Sequence, residues 1–241
     1  DFIMNLSNDE KPKVSIGLPV YNGGKFIRKR LETLLSQTFT DFELIISDNA
    51  STDSTSEICK KFEKKDKRIR YIRQESNMGA VWNFNFVLKE ARCDYFVWAS
   101  ADDLWHTDFL KKNMGILVTK KNFVGCKAKE TLVQSEDVVK KNYSSARKYL
   151  RDKMGLRRTR QAEITHLFPI TGSYDNKVRK FMKLLPGNMF YGVIRTDALR
   201  KSTIDDSFMG ADWCYDLNIL RYGDFYELEE TMLYRIEHGE S

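Results

Sequence analysis

Hydrophobic positions in the first hundred residues switch repeatedly between strand and helix periods. From Val14 to Val20 apolar and β-branched residues dominate, which predicts a short buried strand, and Tyr21, Asn22, Gly23 and Gly24 end it in a turn. From Lys25 to Gln37, Phe26, Ile27, Leu31, Leu34 and Leu35 recur at helical spacing. Glu43 to Ser47 predicts a second strand, ending in Asp48, Asn49, Ala50 and Ser51. Asp53 or Ser54 can cap a helix that reaches Lys64, with Glu57 placed as a capping-box partner to Ser54. Ile69 to Ile72 predicts a third strand and Gly79 to Arg92 a third helix, inside which Trp82, Phe84 and Phe86 are assigned to the core. Asp94 to Ala99 predicts a fourth strand that runs into Ser100, Ala101, Asp102 and Asp103, before a helix capped by Thr107.

Strand and helix alternating at short intervals predict an α/β fold with a mostly parallel central sheet flanked by helices. Ligands of such sheets sit at the carboxyl ends of the strands. Three of those ends carry Tyr21–Asn22, Asp48–Asn49 and Asp102–Asp103, so polar residues gather on one rim.

The second half is less regular. Phe123 to Val133 predicts a strand, Lys140 to Arg160 a broken helix and loop, and Tyr174 to Leu184 a helix before Pro186 and Gly187. Asn188 to Ile194 predicts a strand, Asp212 to Arg221 a helix, and Phe225 to Leu228 and Thr231 to Ile236 two strands that pair. No Pro/Ser-rich linker or internal repeat interrupts the chain. One domain over residues 1–241 is therefore expected, with a ligand-binding half over about 14–135 and a more irregular half over about 136–241.

Composition narrows the class. With 241 residues, 41% hydrophobic and 31% charged, the chain has the apolar surface for one sizeable core and is not disordered. No apolar run nears the ~18 residues of a membrane span. The first thirteen residues lack the basic start and apolar stretch of a signal peptide, so a cytoplasmic location is expected. Cys59, Cys93, Cys126 and Cys214 are scattered without paired spacing and only three histidines accompany them, which argues against a zinc site or a disulfide framework. The net charge of +6 points to anionic partners, and nine basic residues against one acid crowd Lys140 to Arg160. A solvated face is the plain reading of that run. Docking on the inner face of an anionic membrane, where a lipid-linked acceptor would be found, is the functional one.

Four stretches carry a resemblance to a known family. Val14 to Asn22 resembles its opening strand and Pro-x-Tyr-Asn turn; Leu34 to Asp53 its second strand and acidic end; Asn77 to Gly79 with Asn85 and Ala91 its Asn-x-Gly helix; and Trp98 to Asp103 its acidic metal motif. Together, in this order and at this spacing, they resemble the inverting family 2 glycosyltransferases of GT-A fold. Gly187 to Gly192, Ala211 to Trp213 and Tyr234 to His238 resemble later landmarks more thinly. Ser100, Ser47 and Ala211 each stand where the family often has a further acid.

The resemblance implies a metal-dependent inverting transfer of a sugar from a UDP- or dTDP-linked donor to an acceptor hydroxyl, on a glycan or lipid-linked acceptor. It implies Asp212 as general base, and Asp103 with His238 as ligands of Mn2+ or Mg2+ that neutralises the leaving diphosphate. It places Asp102 at the ribose and Asp48 at the nucleotide base, where a carboxylate favours the N3–H of uracil or thymine. Pro19, Tyr21, Asn22 and Asn77 would line the same pocket, and Arg235 would serve the diphosphate or the acceptor. The plain readings are that Asp102 and Asp103 cap a helix, that Asp48 is a turn residue, and that Asp212 is an N-cap. Three rivals stand beside this. An inactive nucleotide-sugar-binding relative is supported by Ser100 and Ala211. A nucleic-acid-binding protein has no recognisable module here, so no nucleic-acid partner is expected. A nucleotidyltransferase lacks its Gly-rich basic loop.

Overall fold

The computed structural model describes residues 13–100, 103–133, 168–184, 189–204 and 211–236. The elements run β1 (Val14–Val20), α1 (Ile27–Leu35), β2 (Phe42–Asp48), α2 (Thr55–Glu63), β3 (Ile69–Arg73), α3 (Ala80–Glu90), β4 (Tyr95–Trp98), β5 (Asp103–Trp105) and α4 (Phe109–Thr119). There follow β6 (Phe123–Val133), α5 (Tyr174–Leu184), a 3-10 turn (Met189–Tyr191), β7 (Val193–Arg195), α6 (Thr196–Arg200), α7 (Ala211–Ile219) and β8 (Asp224–Ile236).

All eight strands join one sheet in the order β3-β2-β1-β4-β7-β6-β8-β5. The first four are mutually parallel, so β1, β2 and β4 present their carboxyl ends on one edge, as the alternating periods predict. β7 then runs antiparallel to both β4 and β6, β8 runs parallel to β6, and β5 antiparallel to β8.

Period-2 alternation splits the apolar side chains of the sheet between two cores. Ile16, Leu18, Leu44, Ile46 and Val97 pack with Leu31 of α1, Ile58 of α2 and Leu110 of α4. Ile45, Phe96 and Trp98 turn the other way and pack with Val87 of α3, Phe181 of α5, Leu199 of α6 and Ile219 of α7. On this second face Gly17 of β1 leaves room for α3, because a Cβ there would lie 2.5 Å from Phe96 Cζ and 2.7 Å from Val87 Cγ2. The four cysteines are free thiols; Cys59, Cys93 and Cys126 are buried, and burial pushes the Cys59 thiol up to about 12.

Several local expectations are corrected. Of the two expected caps, Ser54 makes no side-chain capping bond and Asp53 does, its Oδ1 taking the Thr55 backbone N–H at 3.0 Å. The helix after the acidic motif has Asp108, not Thr107, at its N-cap, without a capping bond. Asp103 opens a strand of its own, β5, before that helix. Residues expected as one strand from Asn188 form a 3-10 turn followed by the three-residue β7. The last two expected strands are one continuous β8, which pairs with β6 rather than with itself. Phe84 is part of the core as expected, but Trp82 is 37% exposed, because residues 82 and 86 lie one turn apart on a face that residue 84 does not share. The basic run Lys140 to Arg160 lies outside the described residues, as do Asp102 and His238.

Candidate active site

The rim is knit by side chains of its own loops. Asn22, at the end of β1, adopts a left-handed backbone with φ of 50°, a conformation asparagine tolerates better than most residues. Its N–H donates to Ser51 Oγ at 2.9 Å, and its Oδ1 accepts the Thr52 N–H at 2.8 Å. Asp53 Oδ2 accepts the Gly24 N–H at 2.8 Å. Ala50 has a φ of 62°, a strained value for a residue with a Cβ, and it makes the tight turn that brings Ser51 under Asp48.

Asp48 is fully buried at the end of β2. Its Oδ1 accepts the Ser51 N–H at 2.8 Å, while Oδ2 accepts the Tyr71 hydroxyl at 2.6 Å and Arg73 Nη1 at 3.3 Å. Burial and the hydrogen bond to Asp48 push the Tyr71 phenol well up, so it remains a donor at any ordinary pH. The carboxylate is thus closed over by two β3 side chains, which the sequence reading did not identify. Tyr21 stands half exposed beside it and Pro19 lies within β1.

The neighbouring loop holds α3 against the rim. Asn49 is the bridge: its Nδ2 donates to Asn77 Oδ1 at 2.8 Å and to the Gly79 carbonyl at 3.1 Å, and its Oδ1 accepts the Met78 N–H at 2.9 Å. One turn into the helix, buried Asn83 donates from Nδ2 to the Ser47 carbonyl at 3.0 Å and accepts the Ser47 hydroxyl. The amino end of α3 is therefore fixed at the rim. Asn77 serves here as a loop fastener, accepting also from Gly79 N–H at 2.9 Å.

A cavity of about 360 Å³ opens beside that helix end. Ala80, Val81 and Phe84 of α3 form one wall, Phe190 and Tyr191 another, and Asp212 and Tyr215 of α7 face them with Arg235 of β8. Its aromatic lining is backed by fully buried Trp98, which stacks on Phe190 at 4.0 Å between ring centres and meets Tyr215 edge-on at 5.6 Å. The Trp98 indole N–H donates to the Phe84 carbonyl at 3.0 Å, which ties β4 to α3. Asp212 and Arg235, far apart in sequence, thus reach one cavity.

Asp103 stands directly across from Arg235 in the β5–β8 pair. Arg235 Nε lies 3.9 Å from Asp103 Oδ1, and Nη1 lies 3.6 Å from Glu130 Oε1. A carboxylate oxygen is the ligand that Mg2+ and Mn2+ prefer, so Asp103 suits such an ion in kind. No group of three His, Cys, Asp or Glu side chains gathers around it among the described residues. His238, the expected companion ligand, and Asp102, expected at the ribose, lie outside those residues.

Beneath Asp212 lies a second carboxyl that the sequence reading passed over. Asp216, one turn along α7, is completely buried, and burial raises it well above the usual carboxylate range. The Lys127 ammonium draws it back down, Asp212 adds repulsion, and the Met189 and Phe190 amides favour the charged form more weakly. Lys127 itself is buried in an ion pair with Glu227, 3.1 Å away, its direct partner across β6 and β8. In sequence Asp216 reads as an ordinary polar position of an amphipathic helix. Only the packing of α7 on the 3-10 turn shows that this position is fully buried.

Known proteins resemble this chain in sequence and in fold. Over 110 residues the chain is 34% identical to the putative teichuronic acid biosynthesis glycosyltransferase TuaG of Bacillus subtilis, covering 46% of this chain and 44% of that relative. The match thus spans less than half of the curated relative's length. The crystal structure of S. aureus TarS 1-349 in complex with UDP-GlcNAc superposes with a TM-score of 0.65 at 18% identity, covering 95% of this chain and 60% of that one. The mannosyltransferase PcManGT from Pyrobaculum calidifontis, solved with GDP-Man and Mn2+, superposes at 0.61 and 16% identity, over 95% of this chain and 57% of that one. These likenesses establish the expected α/β fold. The profile of the family described as Glycosyl transferase family 2 matches residues 15–178, about two thirds of the sequence, and the chain belongs to that family.

Proposed function

We propose that this chain transfers a sugar from a nucleoside-diphosphate donor to an acceptor hydroxyl, with inversion and in a single displacement. The observation that carries this reading is the convergence of Asp212 and Arg235 on one aromatic-lined cavity at the sheet rim, with Asp103 behind Arg235. The nucleotide lies along the Tyr21, Asn22, Asp48 and Asn77 loops, and its diphosphate points toward Arg235. The complexes of TarS with UDP-GlcNAc and of PcManGT with GDP-Man and Mn2+ support a nucleotide-sugar partner and a divalent ion. Asp103, with His238, would hold that ion, Mn2+ or Mg2+, whose charge offsets the developing charge of the diphosphate.

Each described residue then has a task. The acceptor oxygen attacks the anomeric carbon while its proton passes to the Asp212 carboxylate. The bond from that carbon to the diphosphate oxygen breaks on the opposite face. The guanidinium of Arg235 donates charge-assisted hydrogen bonds to the departing phosphate. Phe84, Phe190 and Tyr215 exclude water and give the sugar an apolar wall. The name of the Bacillus relative supports a setting in polysaccharide synthesis. The basic run Lys140 to Arg160 supports docking on an anionic membrane surface, where each exposed basic residue contributes ~1 kcal/mol.

The test is Asp212→Asn. General-base catalysis contributes typically ~10²–10⁴ in rate, so transfer should fall by that order while donor affinity stays near wild type. Near wild-type transfer by the variant would remove Asp212 from the chemistry. A wild-type chain that binds donor yet neither transfers nor hydrolyses it, with metal present, would be an inactive relative.

A further inference from the structure

A second cavity, about 470 Å³, is distinct from the one that holds Asp212. It opens on the next face of α3, between that helix and α6, and Trp82, Asn85, Phe86, Lys89, Arg200 and Thr203 line it. Three features set it apart from an ordinary surface dent. Trp82 and Phe86 lie nearly parallel, 5.1 Å between ring centres and 18° between planes, and the indole is 37% exposed. The indole N–H has no hydrogen-bond partner among the described residues.

The second feature is charge. Neither Lys89 nor Arg200 pairs with an acid among the described residues. Glu90, next in sequence to Lys89, is held by Arg70 at 2.7 Å. Arg200 is anchored by one donor only, Nη2 to the Ala91 carbonyl at 2.7 Å, so its guanidinium is oriented while its other donors remain open among the described residues. Two cations held beside a flat aromatic surface form an anion-and-ring site.

The third feature is the partition from the candidate active site. Asn85 Oδ1 accepts the Tyr215 hydroxyl at 2.6 Å, and its Nδ2 donates to the Ile204 carbonyl at 2.9 Å. Tyr215 lines one cavity and Asn85 the other, so this single bonded pair is the wall between them. α3 carries both, Ala80, Val81 and Phe84 on one side and Trp82, Asn85, Phe86 and Lys89 on the other.

We propose that this second cavity binds an anionic saccharide, the C–H face of a sugar ring lying on Trp82 and its carboxylate or phosphate held by Lys89 and Arg200. The volume lies within the ~300–1,000 Å³ range of small-molecule sites. Resting on the glycosyl-transfer reading, the occupant is a part of the acceptor chain remote from the hydroxyl that reacts.

Calorimetric titration tests this with four probes: an oligoglucuronate tetrasaccharide, N-acetylglucosamine 1-phosphate, inorganic phosphate and the neutral tetrasaccharide maltotetraose. One of the two anionic saccharides should bind at least tenfold tighter than maltotetraose and than inorganic phosphate, and the preferred one identifies the anion as carboxylate or phosphate. The affinity should fall tenfold or more in Trp82→Ala and in Lys89→Glu, and should weaken as salt rises. Both side chains are exposed, so both variants should melt like wild type and keep their response to nucleoside diphosphate. Asp212→Asn should bind the saccharide unchanged, which separates this site from the transfer chemistry. Equal binding of neutral and anionic probes, undiminished binding in Trp82→Ala, or no binding of any saccharide would overturn the proposal.

Discussion

Asp216 shows how a single residue can set a pH dependence. Its folded carboxyl is raised by burial, so between the unfolded value of ~3.9 and its folded value the native chain holds a proton that the unfolded chain has released. By linkage, stability from this group is greatest below the unfolded value and falls as pH rises, until the folded value is passed. Asp216→Asn is neutral at every pH and close in shape. Wild type and variant should therefore be similar near pH 4, and the variant should gain on wild type by about 1.4 kcal/mol per pH unit within that window. Urea midpoints of both proteins from pH 4 to 9 measure the gap. A gap that does not change with pH would show that Asp216 is not held protonated. The residues legible in sequence were those in motifs, such as Asp48, Asp103 and Asp212. Tyr71 and Arg73, which close over Asp48, sit in no motif and show their roles only through distances.

At the scale of elements, α3 is the hinge of the functional reading, since its two faces line both cavities and its amino end meets the rim. Gly17 permits that approach. An added Cβ would overlap Phe96 and Val87, and overpacking of this kind costs ~1–3 kcal/mol. Gly17→Ala should lower the melting temperature by about 2–12 °C at ~2–4 °C per kcal/mol, and it should weaken donor binding as α3 shifts. A Gly17→Ala protein with unchanged melting and binding would show that α3 does not depend on this contact. Strands β1, β2 and β4 were legible because buried parallel strands read as apolar runs of four to seven residues between helical periods. In the second half β6 and α5 were legible at their bounds, and what was not legible has physical reasons. β5 and β7 are only three residues long, too short for any period to show, and β8 pairs with β6 across a hundred residues of sequence. Trp82 was misassigned because aromatic content alone does not say which helix face it occupies.

The eight strands of the described residues form one sheet, so a ligand at the rim touches elements from both halves of the sequence. A nucleoside diphosphate bound along β1, β2 and α3, with its phosphates at Arg235 of β8, would tie the front half to the back. Such a ligand binds only the folded chain, and at a hundred times its Kd it stabilises by ~2.7 kcal/mol. For a chain of 241 residues that corresponds to a rise of about 5–11 °C in melting temperature. UDP or dTDP with Mn2+ should give the largest rise in a panel that includes GDP and ADP, each with Mn2+, Mg2+ or a chelator. Asp103→Asn should lose the metal-dependent part of that rise and still melt normally without ligand. Arg235→Ala should lower the response with or without metal, because the guanidinium meets the phosphates itself. A metal-dependent rise that survives in Asp103→Asn would move the ion elsewhere, and a flat response to every nucleoside diphosphate would remove the donor from this rim altogether.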